Sequence, residues 1–443
     1  MSGLAQIIPT PFFTALVPYM PVFYVSFAVT LVLTPLMRRL ALAHGVIDEP
    51  DRGRKAHKHP IAYLGGVAIF LGWLAGILIA ATIQAPGRNR MLLTGLETAP
   101  GVIAGAGIIM LFGLLDDVYK LVPRLKLFAQ LLGAATLFFF TVNRHGFFII
   151  RLDLANMLIY PLERHGWLAP LQTLAPVWYG TFAGIFSAAV IVFIVMGASN
   201  ALNLLDGLDG LCGGVTGIMA LGYLLLALAL ATDATAVDMV SLDSTRITLS
   251  LALLGAVLGF LPFNFNPARI FMGDTGSMFL GYLCGAMMIL FGDEGILRWF
   301  LAGIVIFSMP LLDTLLAIVR RKFNRQPIFS PDARHFHHFL LRRGYSVPRT
   351  VLTIYAMTGL FVILALLMVT IPTPVGVGLY LVLFAWLVIA AFKLGLIFQR
   401  VAPVTPTTGA TPTPLPAPPA TAAPVPPSGP APGPVPRADG RRS

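Results

Sequence analysis

The chain has 443 residues, of which 57% are hydrophobic and 11% charged. A soluble domain carries about 25% charged residues, so this composition excludes a soluble globular protein. The formal charge of +11 is dispersed over loops, which argues for topology signalling over nucleic acid as a partner. The two cysteines, Cys212 and Cys284, lie inside apolar runs and suggest neither a disulfide framework nor a zinc cage.

Eleven apolar stretches are legible, at 19–41, 62–83, 99–115, 126–143, 178–199, 212–232, 247–263, 276–292, 297–320, 350–371 and 376–398. Many reach the roughly 20 residues that carry a helix across a bilayer. They lack the every-second-residue alternation of a membrane β-barrel. The reading is an all-α, polytopic integral membrane protein of about eleven transmembrane helices. No Lys or Arg precedes the first stretch, Arg38 being the first. That stretch is read as a retained span, not a cleaved signal peptide. The loop at 144–177 mixes Arg, Asp, aromatic and Pro residues and is read as a small surface structure. No internal repeat stands out, which counts against the repeat-built transporter folds. Residues 1–401 are expected to form the membrane-embedded unit. Residues 402–443, rich in Pro, Ala and Thr, read as a disordered cytoplasmic tail without a catalytic part.

Successive spans alternate sides. One set of loops holds Arg38, Arg39, Arg54, Lys58, Lys120, Arg124, Lys126, Arg269, Arg320, Arg334 and Arg349, among others. The opposite set holds Arg88, Arg90, Arg144, Arg151, Arg164, Arg246 and Arg298. The positive-inside bias makes the first set cytoplasmic, with the N-terminus outside and the C-terminus inside. Lys and Arg alone set this orientation, yet it brings every unusual cluster of acids, amides and histidines to the cytoplasmic face. Such groups are costly in an apolar sequence unless they line a wet functional cavity. The coincidence points to a single active site on that face.

Five clusters follow in chain order. Asp48 to Pro60 is a basic loop holding His57, Lys58 and His59, and it runs into Leu64-Gly65-Gly66. A Gly-Gly pair can let backbone and cations approach a phosphate; a solvated, topology-fixing loop is the plainer alternative. Asp116-Asp117 closes the third span, with Lys120, Arg124 and Lys126 behind it. Paired carboxylates suit metal coordination or proton abstraction, while Asp116 and Lys120 could equally form an i, i+4 surface ion pair. Asn200, Asn203, Asp206 and Asp209 recur every third residue, and Gly207 and Gly210 break the helix there. The fourth cluster runs from Asn264 through Phe271-Met272-Gly273-Asp274-Thr275-Gly276-Ser277, with Asp274 in a glycine-bounded loop that aims its carboxylate. Phe271 either stacks on a base or packs in the core. The fifth holds Arg334, His335, His337 and His338. Histidines raise zinc, but no Cys or carboxylate set at ligand spacing accompanies them. Clusters two to four offer the oxygen ligands that magnesium prefers. Hard-cation ligands, phosphate-binding cations and a membrane surface together suit phosphoryl transfer between a water-soluble nucleotide and a lipid.

These five strings, in this order, resemble the polyprenyl-phosphate N-acetylhexosamine-1-phosphate transferases over residues 17–400. The resemblance implies an eleven-span, N-out enzyme. Its donor would be a UDP-activated amino sugar, its acceptor undecaprenyl phosphate, and its leaving group UMP. It implies Asp274 and Asn203 as ligands of Mg2+, for which Mn2+ could substitute. Asp116 would be the base that deprotonates the lipid phosphate, with Asp117 beside it. Asp209, Asn264 and Phe271 match uridine-pocket positions, and Lys58 matches a position in the first loop. Arg334, His335, His337 and His338 match the loop that meets sugar and diphosphate. Asn200 and Asp206 read as supports that hold the turn. A homodimer is one assembly such a chain could form.

The branch follows from two departures. The peptidoglycan translocase branch has three consecutive histidines and a Pro-Thr-Met-Gly-Gly string. This chain has His335-Phe336-His337-His338 and Tyr63-Leu64-Gly65-Gly66. It is more similar to the branch that uses UDP-GlcNAc to start O-antigen, common-antigen or teichoic-acid synthesis. The alternatives are a phospho-MurNAc-pentapeptide translocase and, outside enzymes, a lipid-phosphate or ion transporter. A transporter should place its acids near mid-membrane, not at one face.

Overall fold

The structure is a computed structural model that describes residues 16–48, 60–80, 82, 100–142, 176–232, 240–292, 297–324 and 335–393. Lys58, Arg334, nearly all of the 144–177 loop and the 402–443 tail lie outside the described residues. The described residues form thirteen α-helices and one short β-ribbon. The helices are α1 Met20–Ala43, α2 Gly65–Ala80, α3 Pro100–Tyr119, α4 Pro123–Val142 and α5 Pro176–Leu205. They continue with α6 Leu211–Thr232, α7 Val240–Asn264, α8 Gly273–Phe291, α9 Leu297–Ile306 and α10 Ser308–Phe323. The last three are α11 Phe336–Arg342, α12 Val347–Thr370 and α13 Thr373–Lys393.

Apolar sequence in lipid must satisfy its backbone internally, which favours helices throughout. Each of the eleven apolar stretches does carry a helix. The ninth is broken at Phe307, where α9 and α10 meet at a 71° bend. Among the described residues eight helices are long and apolar enough to cross a membrane, and nine if the bent pair counts as one span. The other two stretches carry the 16-residue α2 and the 20-residue α4. The chain is thus a multi-pass membrane protein.

Helix α8 is the central element. It packs against α2, α3, α5 and α9, and Asp274 is its one residue that is not fully buried. Around it, α7 packs on α1 and α6, and α12 packs on α6 and α9. By contrast α13 is peripheral, with Leu381, Val382 and Trp386 exposed, as a lipid-facing helix requires. Small residues permit the closest crossings: Gly72 and Gly76 of α2 meet Thr30 and Ser26 of α1.

The ribbon joins two of the clusters. β1 Ile47–Asp48 pairs antiparallel with β2 Ile61–Ala62, Ile47 facing Ala62. Ala62 also bridges Ile270 in parallel. The next amides continue the contact: Gly65 N donates to Phe271 O and Gly66 N to Met272 O, each at 3.0 Å. This corrects the phosphate reading of the glycine pair. Its amides are committed to protein carbonyls, and a Cβ at Gly66 would collide with the backbone of Gly276 in α8.

Candidate active site

Helix direction gathers the site. α3 and α5 deliver polar residues from their C-terminal ends, while α4 and α8 deliver them from their first turns. Asp274 lies in the first turn of α8, not in a loop as its flanking glycines suggested.

Asp117 is buried and turned toward that first turn. Its carboxylate accepts from Asp274 N at 2.9 Å, Thr275 N at 3.0 Å and Thr275 Oγ1 at 2.6 Å. A carboxylate on the free amides of a helix start satisfies those donors and meets the positive end of the helix dipole. Gly273 makes room for it. Its φ is +67°, and a Cβ there would strike the Asp117 carboxylate.

Asp116 faces the other way, with Oδ2 at 2.7 Å from Lys126 Nζ. The same ammonium contacts Asp274 Oδ2. The i, i+4 pair with Lys120 does not form. Lys120 leaves the helix with φ +54° and sets its ammonium 5.3 Å from the Tyr63 ring centroid. Ligand atoms of Asp116, Asp117 and Asp274 lie within 4.8 Å of one another. Asn203 stands beside them, its Nδ2 donating to Asp274 Oδ1 at 2.9 Å and Ser277 Oγ at 3.0 Å. Those two bonds leave its Oδ1 carbonyl for another partner. Three carboxylates and an amide carbonyl form a hard oxygen set, and Lys126 already fills the place of a cation between two of them. The residues therefore fit Mg2+.

The other turn residues are arranged by role. Asn200 donates to Gln130 Oε1 at 2.8 Å and to Met196 O at 2.7 Å, tying α5 to α4. Asp209 Oδ2 accepts from Asn266 Nδ2 at 2.9 Å and Ala268 N at 3.0 Å. Asn264 is buried, donates to Ile270 O and accepts from Gly210 N. Its amide is engaged at both ends in holding the turn to the 264–270 segment. Phe271 is half-buried, its ring centroid 6.1 Å from that of Tyr63. Asp206, in the turn between spans, is pushed up to about 8 by burial first and then by the charges of Asp274, Asp117 and Asp209. Acidic charge is in excess here.

The histidines close the far side. His335 Nδ1 sits 3.0 Å from Asp313 Oδ2, and Phe336 N donates to Asp313 Oδ1 at 2.8 Å. The rings of His335 and His337 stack at 5.8 Å, and His338 lies 4.2 Å from His337. The His337 ring lies against Gly207, where a Cβ would come within 2.7 Å of Nε2. Both its nitrogens are buried without a hydrogen-bond partner among the described residues. Burial pulls this imidazole down to about 3, so it is neutral at physiological pH.

Several residues were missed from sequence. Lys126 was grouped with the second cluster but given no partner, and Gln130, one helical turn beyond it at the mouth of an apolar stretch, was passed over. Asp313 is an isolated acid within the 297–320 run, a signal in its own right. Thr275 and Tyr355 had no signal beyond their neighbours.

The sequence pattern of the family described as Glycosyl transferase family 4 matches residues 99–292, from the start of α3 through α8. A Bacillus subtilis protein named "Probable undecaprenyl-phosphate N-acetylglucosaminyl 1-phosphate transferase" is 32% identical over 390 residues, 86% of this chain and 94% of that protein. The decaprenyl-phosphate N-acetylglucosaminephosphotransferase of Mycolicibacterium smegmatis is 33% identical over 346 residues, 75% of this chain and 77% of that one. A phospho-N-acetylmuramoyl-pentapeptide-transferase of Geobacillus thermodenitrificans is 31% identical over 348 residues, 77% and 95% respectively.

Proposed function

Because the chain belongs to glycosyl transferase family 4, we propose that it transfers N-acetylglucosamine 1-phosphate from UDP-GlcNAc to undecaprenyl phosphate on the cytoplasmic face of the cell membrane. A lipid phosphate oxygen attacks the sugar-bearing phosphorus of the nucleotide, and the bond to UMP breaks. The product would start an envelope glycopolymer. The observation that carries this reading is the Asp116, Asp117 and Asp274 trio with Lys126 bridging Asp116 and Asp274. It pairs a hard-cation site with an ammonium at a common end of apolar helices, as transfer between a nucleotide and a lipid phosphate needs. Eleven spans with the N-terminus outside put this end in the cytoplasm, where sugar nucleotides are found.

Asp274 and the Asn203 carbonyl would hold Mg2+, which when bound neutralises diphosphate charge. Asp117 fixes the start of α8 and so the aim of Asp274. Asp116 is placed to take the proton of the lipid phosphate, with Lys126 at hand to balance the charge left behind. The turn at 206–210 and Phe271 form the side that receives the uridine. Lys58, Arg334 and the histidines serve the sugar and diphosphate. The neutral His337, with both nitrogens unpaired among the described residues, can give one hydrogen bond and accept one there.

Purified protein given UDP-GlcNAc, undecaprenyl phosphate and Mg2+ should release UMP, and EDTA should stop it. Asp116→Asn and Asp274→Ala should each lower turnover by about 10²- to 10⁴-fold while the protein stays folded. With UDP-MurNAc-pentapeptide in competition, UDP-GlcNAc should be the donor consumed. No UMP, or release that survives EDTA, would overturn the proposal.

A further inference from the structure

Helix α11 has seven residues, Phe336–Arg342. Isolated helices below about 12–15 residues are marginal in water. Its place against the site must therefore come from contacts outside itself. One residue supplies two of them. Asp313 is buried in α10, beyond the 71° bend that turns α10 away from the line of α9. A buried carboxylate is costly unless its oxygens are engaged, and here both are. Oδ2 meets His335 Nδ1 at 3.0 Å, and Oδ1 accepts the first amide of α11, Phe336 N, at 2.8 Å. The contact then passes along the rings. His335 stacks on His337 with the planes 7° apart, and His337 lies on Gly207 of the catalytic turn.

We infer that Asp313 is a positioning residue, which acts through His335 to lock α11 against the turn and to fix the ring of His337 at the site. A carboxylate held on the ring Nδ1–H fixes the His335 tautomer as well as its orientation. Asp313 itself touches none of the reacting groups: its partners are His335 and the Phe336 amide. The geometry belongs to the fold, while the consequence for turnover rests on the transferase reading.

The test is a double-mutant cycle on the full-length protein, with hydrogen exchange measured beside it. Asp313→Asn keeps the size of the side chain and a carbonyl for Phe336 N but removes the charge facing His335. We expect it to lower kcat for UMP release by about 10- to 100-fold, the scale of a misplaced catalytic group. KM for UDP-GlcNAc should change by less than about threefold, because the uridine side is untouched. Added to His335→Ala, Asp313→Asn should cost less than about twofold more, since residues acting in one chain are not additive. Amide exchange over 336–342 should rise by about tenfold in Asp313→Asn, whether or not any sugar nucleotide is turned over. Additive losses, or a wild-type kcat, would overturn the inference. So would unchanged exchange over 336–342. If the wild-type protein releases no UMP, the transferase reading falls and the exchange measurement still decides whether the lock exists.

Discussion

Asp206 sits in the turn between α5 and α6, with Asp117, Asp209 and Asp274 acting on it. Its carboxyl rises from 3.8 to about 8, so the folded, cation-free protein keeps a proton that the unfolded chain releases. The sign follows by linkage. Stability from this group is fully present below the unfolded value and is lost as pH rises through about 8. We expect the apparent Tm of cation-free protein in detergent to fall between about pH 4 and pH 8, and Asp206→Asn to flatten that slope. An equal slope in the variant would show that another group carries it. Mg2+ binds carboxylates in their deprotonated form, so its stabilisation should grow over the same window. Adjacent acids show the limit of sequence at this scale. Asp116 and Asp117 are identical neighbours on the page, and only three-dimensional packing separates them. Asp117 has a helix start to cap, and Asp116 has an ammonium to meet. Asn264 stood out as a polar residue after an apolar run, yet both ends of its amide serve the turn. Residue type shows what a group can do, and not which neighbour has claimed it.

Between elements, the turn at 206–210 is gripped from three directions. Asn264 at the end of α7, the Asn266 side chain and the Ala268 amide hold it from one side, His337 covers Gly207, and α12 reaches it through Tyr355. The Tyr355 hydroxyl donates to Gly210 O at 2.5 Å, over a Gly214 too small to obstruct it. Tyr355→Phe removes one half-buried hydrogen bond, about 0.5–1.5 kcal/mol, and leaves the ring in place. We expect KM for UDP-GlcNAc to rise severalfold with a smaller change in kcat, because Asp209 and its neighbours move while the acid trio stays fixed. A variant with unchanged KM would separate α12 from nucleotide binding. The helices themselves were legible: every apolar stretch carries one, since a chain in lipid has little choice of backbone structure. Their contacts were not. The bend at Phe307 had a signal that a single 297–320 span passes over: Pro310, in the first turn of α10, has no N–H to give Ile306 O and breaks the ladder there. Lys126 and Gln130 were visible as a polar pair on α4, but their partners on α3, α5 and α8 are set by long-range packing.

For the whole molecule, the question is which end of the bundle faces the cytoplasm. Acids and amides gather where α3 and α5 end and where α4 and α8 begin, so all belong to one side by helix direction alone. Charge carries the choice of side. The loops at the site's end hold most of the Lys and Arg, including Arg320, Arg321 and Lys322 in the last turn of α10. On the proposed function, the positive-inside bias sends that end to the cytoplasm, where a water-soluble nucleotide and the lipid headgroup would meet at Asp116. The turns at the two ends of α12 make this measurable. Tyr345 precedes α12 at the site's end and is 45% exposed, while Pro372 follows it at the opposite end and is also exposed. Both native cysteines are fully buried and should give little background. A membrane-impermeant maleimide applied to intact cells should label Pro372→Cys. It should label Tyr345→Cys only after the membrane is opened. The reverse pattern would place the acid trio outside the cell, away from any cytoplasmic pool of sugar nucleotide, and would remove the basis for a nucleotide-dependent transfer at this site.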